Sequence, residues 1–278
     1  MDLRFNILDP FVDKFVICEA RFSHSGKEKE IKFNKKDYPK FEEKILHIII
    51  DDDPVEKNLS KQASPSVLRL NSIQRIEAQR NHIAKALANE DRENYIIYSD
   101  NDEIPNLRNF DFNTNKSKIV IFKQKLFYYK FNLFCDRYDW HGTKGCKKKD
   151  LINFEWLRNI KTKKYNFYRF DTIFSKTKYT DVKIINDGGW HFSQLKKIDD
   201  IYSKLTNSED HQEFKDTGKK ISDIEDLVNR KVILYDHKAK SSEFKFGKEF
   251  KLETIGLENM PDYIQKNKEK YKEWIDEE

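Results

Sequence analysis

The sequence predicts an α/β fold in which a mixed, Rossmann-like sheet is flanked by helices. Apolar runs of four to six residues, rich in β-forming side chains, recur along the chain and are too short to be helices. These runs span residues 15–18, 95–98, 119–122 and 126–129, and similar runs interrupted by one polar residue span 45–50 and 182–185. Helical periodicity lies between and after the runs, from Ser72 to Asn89 and again from Lys196 onward. Unbroken apolar runs are typical of strands covered on both faces, as in a parallel sheet.

The length of the chain suits one large domain. Its 278 residues and 33.5 kDa supply an ample core, and no internal repeat or flexible linker interrupts them. We therefore expect a single domain over residues 1–278, with a helical part from about residue 196.

Charge and composition exclude several classes of protein. Hydrophobic residues make up 37% of the chain and charged residues 36%, which indicates a globular protein with a mixed surface. Because 53 basic residues stand against 48 acidic ones, a nucleic acid is not the expected partner. The three cysteines are odd in number and lack Cys-x-x-Cys spacing, so neither a disulfide framework nor a zinc site is predicted.

The sequence contains no segment that looks like a membrane anchor or a leader. No uncharged apolar run approaches the roughly 20 residues that a transmembrane helix needs, and the first residues lack a basic region followed by an apolar one. The expected location is cytoplasmic.

Each of the first two predicted strands ends in carboxylates. Glu19 follows the first strand, where a doubly wound sheet places a bound nucleotide, so it either contacts a ligand or is a solvated strand-end carboxylate. The second strand ends in Asp51-Asp52-Asp53-Pro54. We interpret this as a turn rather than a metal site, because Pro54 and the polar residues as far as Ser66 are typical of a surface connection.

The helix predicted from Ser72 to Asn89 carries a charged residue on its apolar face. Asn71 is placed to cap this helix, with Gln74 three residues later as in a capping box. Arg80 shares the apolar stripe, so it must reach water or an anionic partner, and Glu77 is the nearest candidate in sequence.

The most unusual arrangement of residues is the segment from Tyr95 to Pro105. Its apolar run reads as a buried strand and is followed by three carboxylates, at positions 100, 102 and 103. Asp100 and Asp102 lie two apart on an extended chain, so both can present oxygen ligands to a divalent cation at the end of the strand. Pro105 is expected to end the regular structure.

The remaining candidates come from loops predicted later in the chain. Trp140 precedes His141-Gly142, and an exposed tryptophan beside glycine suits the stacking of a sugar ring. After the strand at 182–185, the segment from Asn186 to Ser193 reads as a loop, because its paired glycines permit positive φ. His191 in that segment is a candidate site residue.

The motifs Ser-Asp-Asn-Asp-Glu-Ile-Pro (99–105) and Gly-Trp-His-Phe-Ser (189–193) resemble those of glycosyltransferase family 17. This family includes the β-1,4-mannosyl-glycoprotein β-1,4-N-acetylglucosaminyltransferase. The resemblance implies a GT-A fold, a UDP-sugar donor, a glycan or other hydroxyl acceptor, and Mn²⁺ or Mg²⁺. It implies inverting transfer, most readily of N-acetylglucosamine; another donor such as UDP-glucose and a non-catalytic sugar-binding module are the alternatives.

Roles for individual residues follow from the resemblance together with the local pattern. The expected metal ligands are Asp100, Asp102 and His191, because imidazole and carboxylates both suit Mn²⁺. The expected donor contacts are Glu19, Glu77, Arg80, Asp100, Trp140 and Trp190. Asp187 is the expected general base, with Glu103 and Glu213 as alternatives.

Overall fold

The computed structural model shows a mixed α/β architecture and describes residues 1–55, 64–163, 165–166, 168–172, 174–240 and 243–277. The helices are α1 (Asp2–Leu8), α2 (Pro65–His82), α3 (Phe154–Asn159), α4 (Ile198–Leu205), α5 (His211–Asp216), α6 (Ile221–Asn229) and α7 (Asp262–Lys266). The strands are β1 (Phe15–Ala20), β2 (Ile45–Ile50), β3 (Tyr95–Tyr98), β4 (Glu103–Pro105), β5 (Ile119–Phe122), β6 (Gln124–Tyr128), β7 (Leu133–Trp140), β8 (Lys144–Lys147), β9 (Val182–Ile185), β10 (Gly189–Ser193), β11 (Val232–Ile233), β12 (Phe250–Lys251) and β13 (Glu253–Thr254).

Two larger sheets meet along a seam, and the chain passes from one sheet to the other five times between β3 and β10. One sheet has the order β3-β8-β5-β9 and the other has the order β13-β7-β6-β10-β4. Four short crossings join β3 to β4, β5 to β6, β7 to β8 and β9 to β10, and a longer connection over residues 106–118 returns from β4 to β5. Backbone hydrogen bonds such as Lys123 N to Ile185 O (3.0 Å) tie neighbouring crossings together. The carboxylates after β3 therefore lie at the seam, where their positions depend on both sheets.

Strand β10 is held on both sides within the five-stranded sheet. It pairs antiparallel with β4 and parallel with β6, which sets His191 opposite Glu103 and Leu126. Gly189 begins the strand with φ near +123°, and a Cβ there would lie 2.1 Å from the carbonyl oxygen of Ile104. Only glycine fits this close approach. The predicted loop over residues 186–193 is thus wrong from Gly189 onward, because ladder pairing on both edges makes that part a strand.

The strand before the carboxylates also differs from the prediction. Tyr95–Tyr98 does form a strand, but it lies at the edge of its sheet, antiparallel to β8, with three of its four residues only partly buried. Pro105 was expected to end regular structure and instead belongs to β4. This strand lies at the edge of its own sheet, where the lack of a proline N–H is tolerated.

The principal helix begins seven residues earlier than predicted. Helix α2 runs from Pro65 to His82, and a 3₁₀ turn extends it to Leu87. Asn71 is therefore a buried residue inside the helix and not its cap. Ser64 is extended and Pro65 occupies the first turn, the position where proline is best tolerated in a helix.

Strands β1 and β2 lie where the sequence predicts and pair in parallel. The acidic residues after β2 are used by the fold: Asp51 pairs with Arg21 at 2.7 Å, and Asp53 pairs with the buried Arg75 at 2.9 Å. Their carboxylates thus have basic partners, as expected of a structural turn. The predicted connection to Ser66 falls partly on residues 56–63, which lie outside the described residues, and Ser66 itself is in α2.

The part of the chain after residue 196 contains strands as well as helices. Helices α4 and α6 pack on a core that includes Ile201, Ile224 and Leu227, and β13 then adds a strand beside β7. A 3₁₀ helix, Glu269–Trp274, follows the short α7 near the end of the chain. Across the residues that the structure describes, no helix has the length and apolar character required to span a bilayer.

The C-terminal segment folds back onto the turn between β6 and β7. The backbone N–H of Asp276 donates to Asn132 Oδ1 at 2.8 Å, and Asn132 Nδ2 donates to the carbonyl oxygen of Asp276 at 3.0 Å. The Asp276 carboxylate accepts from Lys231 at 2.5 Å and from Thr254 at 2.7 Å. One side chain thus joins the C-terminal segment to β13 and to the residue before β11.

Replacing Asp276 with Ala is expected to lower the free energy of unfolding by about 2 kcal/mol, because two charge-assisted hydrogen bonds to a mostly buried carboxylate are lost. The matched control is Asp262→Ala, which removes the exposed pair with Arg108 and should cost less than about 1 kcal/mol. Chemical denaturation of both variants measures the difference. Equal losses would contradict the proposed role of Asp276.

Candidate active site

The turn at residues 99–102, here called the acidic turn, is held from beneath by an arginine of the N-terminal helix. Arg4 of α1 donates to the carbonyl oxygens of Asp100 (3.3 Å) and Glu103, and to the hydroxyl of Ser99 (2.5 Å). Because these contacts are made to two backbone carbonyl oxygens and a hydroxyl, Arg4 holds both ends of the turn without a hydrogen bond to its carboxylates.

Glu103 is fully buried behind the acidic turn and its carboxylate is saturated with donors. It accepts from Trp140 Nε1 at 2.7 Å, from Thr143 Oγ1 at 3.2 Å and from the backbone N–H of Asp100 at 3.2 Å. Burial raises the pKa of Glu103, although the Arg158 guanidinium 3.4 Å away opposes this shift. Glu103 therefore joins β4, β7 and the acidic turn into one unit.

Gly142 makes this arrangement sterically possible. A Cβ at this position would lie 1.7 Å from Glu103 Oε1 and 2.4 Å from Trp140 Nε1. Any side chain would therefore break the hydrogen bond between Trp140 and Glu103. The glycine beside Trp140 serves the close packing of the buried carboxylate.

Asp100 lies among cations and a tyrosine hydroxyl. Its carboxylate accepts from Arg158 at 3.0 Å and from Tyr98 at 3.0 Å. Burial disfavours the charged form, but Arg158 and Arg80 outweigh that effect, and the pKa of Asp100 lies below its usual value. Asp100 is therefore ionised at neutral pH.

Asp102 faces His191 across the junction of β4 and β10. Asp102 Oδ1 lies 3.5 Å from His191 Nε2, and Oδ2 lies 3.4 Å from Lys204 of α4. The backbone N–H of Phe192 donates to the carbonyl oxygen of Asp102 at 2.8 Å, which fixes this register. Burial opposes ionisation of Asp102, yet His191 and Lys204 hold its pKa far below the usual range.

Aromatic rings form a wall next to Asp102 and His191. The centroid of the Trp140 ring lies 4.3 Å from the centroid of the His191 ring and 5.2 Å from that of the His237 ring. Tyr128 and His237 share a hydrogen bond, and burial lowers the pKa of His237 to about 3, so that its imidazole is neutral. Trp140 is only partly buried, and one side of the site is therefore apolar and flat.

Comparison with known families gives a match over nearly the whole chain. The family model of glycosyltransferase family 17 matches residues 1–275. The chain belongs to glycosyltransferase family 17. Searches of curated proteins and of solved structures gave no match. Membership of family 17 makes the protein a transferase that moves a sugar from a nucleotide-sugar donor to an acceptor, and both motifs that carried the resemblance lie in the site just described.

Arg80 is linked to Asp100 of the family 17 motif through Tyr98, and it pairs with Glu155 in place of the expected Glu77. It donates to Glu155 at 2.8 Å and to Tyr98 at 3.2 Å, and Tyr98 in turn contacts Asp100. The local pair with Glu77 does not form, and the Glu77 side chain is exposed. Arg80 therefore adds positive charge behind Asp100.

Two predicted donor contacts lie in other surroundings. Glu19 accepts from the backbone N–H groups of Lys32 and Phe33 at 3.0 and 3.1 Å and so anchors the segment that follows β1. Trp190 donates to the carbonyl oxygen of Asn259 at 2.8 Å and packs on the core. The structure does not bring either residue to the acidic turn.

The carboxylates of two predicted bases accept hydrogen bonds from elsewhere in the fold, whereas the third base is exposed. The exposed base is Asp187, whose carbonyl oxygen accepts from Asn106 at 3.4 Å and from Asn109 at 3.1 Å. Glu103 is saturated with donors, as described above. Glu213 on α5 accepts from the backbone N–H of Lys245 at 3.0 Å.

Sequence reasoning did not predict Arg4, Lys204 or Arg158 as site residues. These residues lie 96, 102 and 58 positions from their partners in the acidic turn. Arg4 did carry a weak signal, since an arginine among apolar residues in a helix needs an anionic or carbonyl partner. Lys204 carried none, because a lysine on an amphipathic helix usually faces water.

The side chains around the acidic turn supply part of a shell for a divalent cation. Within the described ranges, no three His, Cys, Asp or Glu side chains are arranged to hold a metal ion together. The pair Asp102 Oδ1 and His191 Nε2 has suitable chemistry and spacing for two adjacent ligands of one ion. Asp100 is already bonded to Arg158 and Tyr98. The protein thus offers two ligands, and a complete shell needs oxygens from a substrate.

Replacing Arg4 with Met should lower kcat for sugar transfer by roughly 10- to 100-fold, because a turn displaced by about 1 Å misplaces the groups that it carries. Arg4→Lys should restore little, since one ammonium group cannot span three acceptors. Steady-state kinetics and thermal unfolding should be measured together.

The matched control is Arg21→Met, which removes an exposed arginine paired with Asp51 and should leave kcat unchanged. An Arg4→Met protein with reduced melting temperature and wild-type kcat would show that Arg4 is needed only for folding.

Proposed function

We propose that the chain is a metal-dependent, inverting glycosyltransferase of GT-A type that moves N-acetylglucosamine from UDP-N-acetylglucosamine to an acceptor hydroxyl. The observation that carries this proposal is the approach of Asp102 Oδ1 to His191 Nε2 at 3.5 Å, within a ring of cations. The donor, the inversion and the GT-A type rest on the family resemblance.

In this proposal Asp102 and His191 would hold Mn²⁺ or Mg²⁺, and the diphosphate of the donor would supply further oxygens. Such an ion, when bound, neutralises the charge that develops on the departing nucleotide. Asp100 adds negative charge next to it and keeps Arg158 in place at 3.0 Å. The proposal therefore gives the two aspartates different tasks.

The cations around the acidic turn are suited to the charge of a donor diphosphate. Arg158 and Lys204 approach Asp100 and Asp102 from different elements, α3 and α4. When a diphosphate enters, both cations can contact its oxygens without leaving the site, and a guanidinium can bind two oxygens at once. The positive charge thus favours the anionic donor over a neutral sugar.

The aromatic wall provides the apolar side of a sugar site. Trp140 is fixed by its hydrogen bond to Glu103, so its ring plane is set before any ligand binds. A sugar presents C–H groups on one face, and a rigid aromatic ring is a suitable surface for them. The proposed reaction is a single displacement with the exposed Asp187 as the proposed base, because the carboxylates of Glu103 and Glu213 are hydrogen-bonded within the fold.

Thermal unfolding with a panel of nucleotide sugars tests the donor, with and without Mn²⁺. A donor at a hundred times its Kd stabilises the folded state by about 2.7 kcal/mol. We expect UDP-N-acetylglucosamine with Mn²⁺ to stabilise more than UDP-glucose, and UDP to be released when an acceptor is added. Stabilisation without any UDP release would instead identify a sugar-binding module.

Asp102→Asn is expected to lower kcat by roughly a hundredfold or more while leaving the fold intact, in the range seen when one electrostatic stabiliser is removed. The backbone bond from Phe192 is retained in this variant, so the turn should keep its register. Asp51→Asn, in the turn after β2, is the control and should transfer sugar normally. Near-normal turnover of Asp102→Asn would rule out the proposed ligand.

His191→Ala is expected to raise the Mn²⁺ concentration for half-maximal activity by about tenfold or more, because one of two protein ligands is lost. The control is His141→Ala, which removes an imidazole whose Nδ1 lies 3.1 Å from the carbonyl oxygen of Asp139. A metal titration of transfer activity measures both. An unchanged Mn²⁺ requirement in His191→Ala would exclude His191 as a ligand.

A further inference from the structure

The segment at residues 161–180, between α3 and β9, exposes aromatic side chains to an unusual degree. Phe174 is 89% exposed, Phe170 is 77% exposed and Tyr168 is 63% exposed. Phenylalanine is among the residues that are most often buried, and several exposed ones close together in sequence indicate an interaction surface. Here this segment is called the basic-aromatic segment.

The basic-aromatic segment also accounts for the whole formal charge of the protein. Of the 53 basic and 48 acidic residues in the chain, six basic residues and one acidic residue fall within 161–180, which leaves 47 of each elsewhere. The net charge of +5 therefore belongs to 20 residues in a chain that is otherwise neutral overall. Such a concentration attracts an anionic partner to one place.

Hydrogen bonds and ion pairs hold the two ends of the segment together. The backbone N–H of Lys161 donates to Thr177 O at 2.9 Å, and Trp156 Nε1 donates to Lys176 O at 2.7 Å. Asp171 pairs with Arg169 and Lys178, each at 2.8 Å. The two ends of the segment are thus fixed by these contacts, and the exposed phenylalanines project from the part between them.

We propose that the basic-aromatic segment docks the protein on the surface of a bilayer that contains anionic phospholipid. The exposed Lys161, Lys163 and Lys176 would meet the lipid phosphates, and Phe170 and Phe174 would enter the boundary between headgroups and acyl chains. Basic residues combined with aromatic ones are typical of segments that bind at this interface without crossing the membrane.

The shape of the segment favours lipid over single-stranded nucleic acid. A nucleic-acid site needs a basic groove that tracks the backbone, with rings laid flat as platforms for the bases. Phe170 and Phe174 instead project from irregular chain and a single 3₁₀ turn, Phe170–Thr172, with most of their surface in contact with nothing else. Side chains of this kind gain most by entering an apolar layer.

Docking through this segment places the candidate active site close to the lipid. The segment begins within three residues of Arg158, whose guanidinium contacts Asp100 at 3.0 Å. Helix α3 therefore links the docking surface to the acidic turn. The docking proposal is independent of the donor and of the metal.

Co-sedimentation with vesicles tests the proposal. The full chain should sediment with phosphatidylcholine vesicles that contain phosphatidylglycerol and stay in solution with phosphatidylcholine alone, and high salt should release it. The triple substitution Lys161→Gln, Lys163→Gln and Lys176→Gln should weaken binding roughly a hundredfold, at about fivefold for each charge removed. Phe170→Ser with Phe174→Ser should also abolish sedimentation.

Matched controls change the same residue types elsewhere on the surface. They are Lys36→Gln, Lys85→Gln and Lys266→Gln together, and Phe244→Ser, all at exposed positions. These variants should sediment like the unmodified protein, and all variants should keep its melting temperature because exposed side chains were changed. No preference for anionic vesicles, or equal loss in the controls, would overturn the proposal. Binding of single-stranded RNA in place of vesicles, lost in the same variants, would also overturn it.

Discussion

The site depends on the balance of charge around the acidic turn. Three carboxylates within four residues repel one another, and such a turn is stable only if positive charge surrounds it. The fold supplies Arg4 from α1, Arg158 from α3 and Lys204 from α4. Elements far apart in the sequence therefore converge on one turn, and the N-terminal helix, the sheets and the later helices are positioned by this shared requirement.

The three carboxylates are stabilised in different ways. Glu103 is buried with a saturated set of donors and a raised pKa, so it serves the structure. Asp100 stays ionised against Arg158, and Asp102 stays ionised against His191 and Lys204. Of the three carboxylates, only Asp102 has both of its charged partners at distances longer than that of a strong ion pair. His191 lies 3.5 Å away and Lys204 lies 3.4 Å away. It is therefore the carboxylate best able to exchange its partners for a ligand.

The seam between the two sheets brings the acidic turn and His191 together through short connections between paired strands. The acidic turn and the residues before β10 are adjacent crossings, and the ladder between β4 and β10 sets His191 opposite Glu103. Moving either strand by one residue would turn His191 away from Asp102. The glycines at 142 and 189 allow the backbone to approach closely enough for this register.

Local features of the site could be predicted from the sequence, and long-range ones could not. The apolar run before Asp100 and the carboxylates after it are contiguous, so their order indicated a strand followed by a polar turn. The strand at Gly189–Ser193 was missed because paired glycines are typical of loops, whereas here one glycine is required by the carbonyl oxygen of Ile104. Helix α2 was started too late because Asn71 resembles a cap, while the signal of Pro65 was overlooked. Contacts such as that between Arg4 and Asp100 join residues nearly 100 positions apart, and they produce no periodic pattern in the sequence.

The most direct test of this account is a crystal structure of the protein with Mn²⁺ and UDP-N-acetylglucosamine, with the ion located by its anomalous scattering. The account predicts one ion bonded to Asp102 Oδ1 and His191 Nε2, with the diphosphate completing its shell and Arg158 or Lys204 in contact with the phosphate oxygens. An ion bound without Asp102, or a diphosphate bound away from the acidic turn, would contradict it.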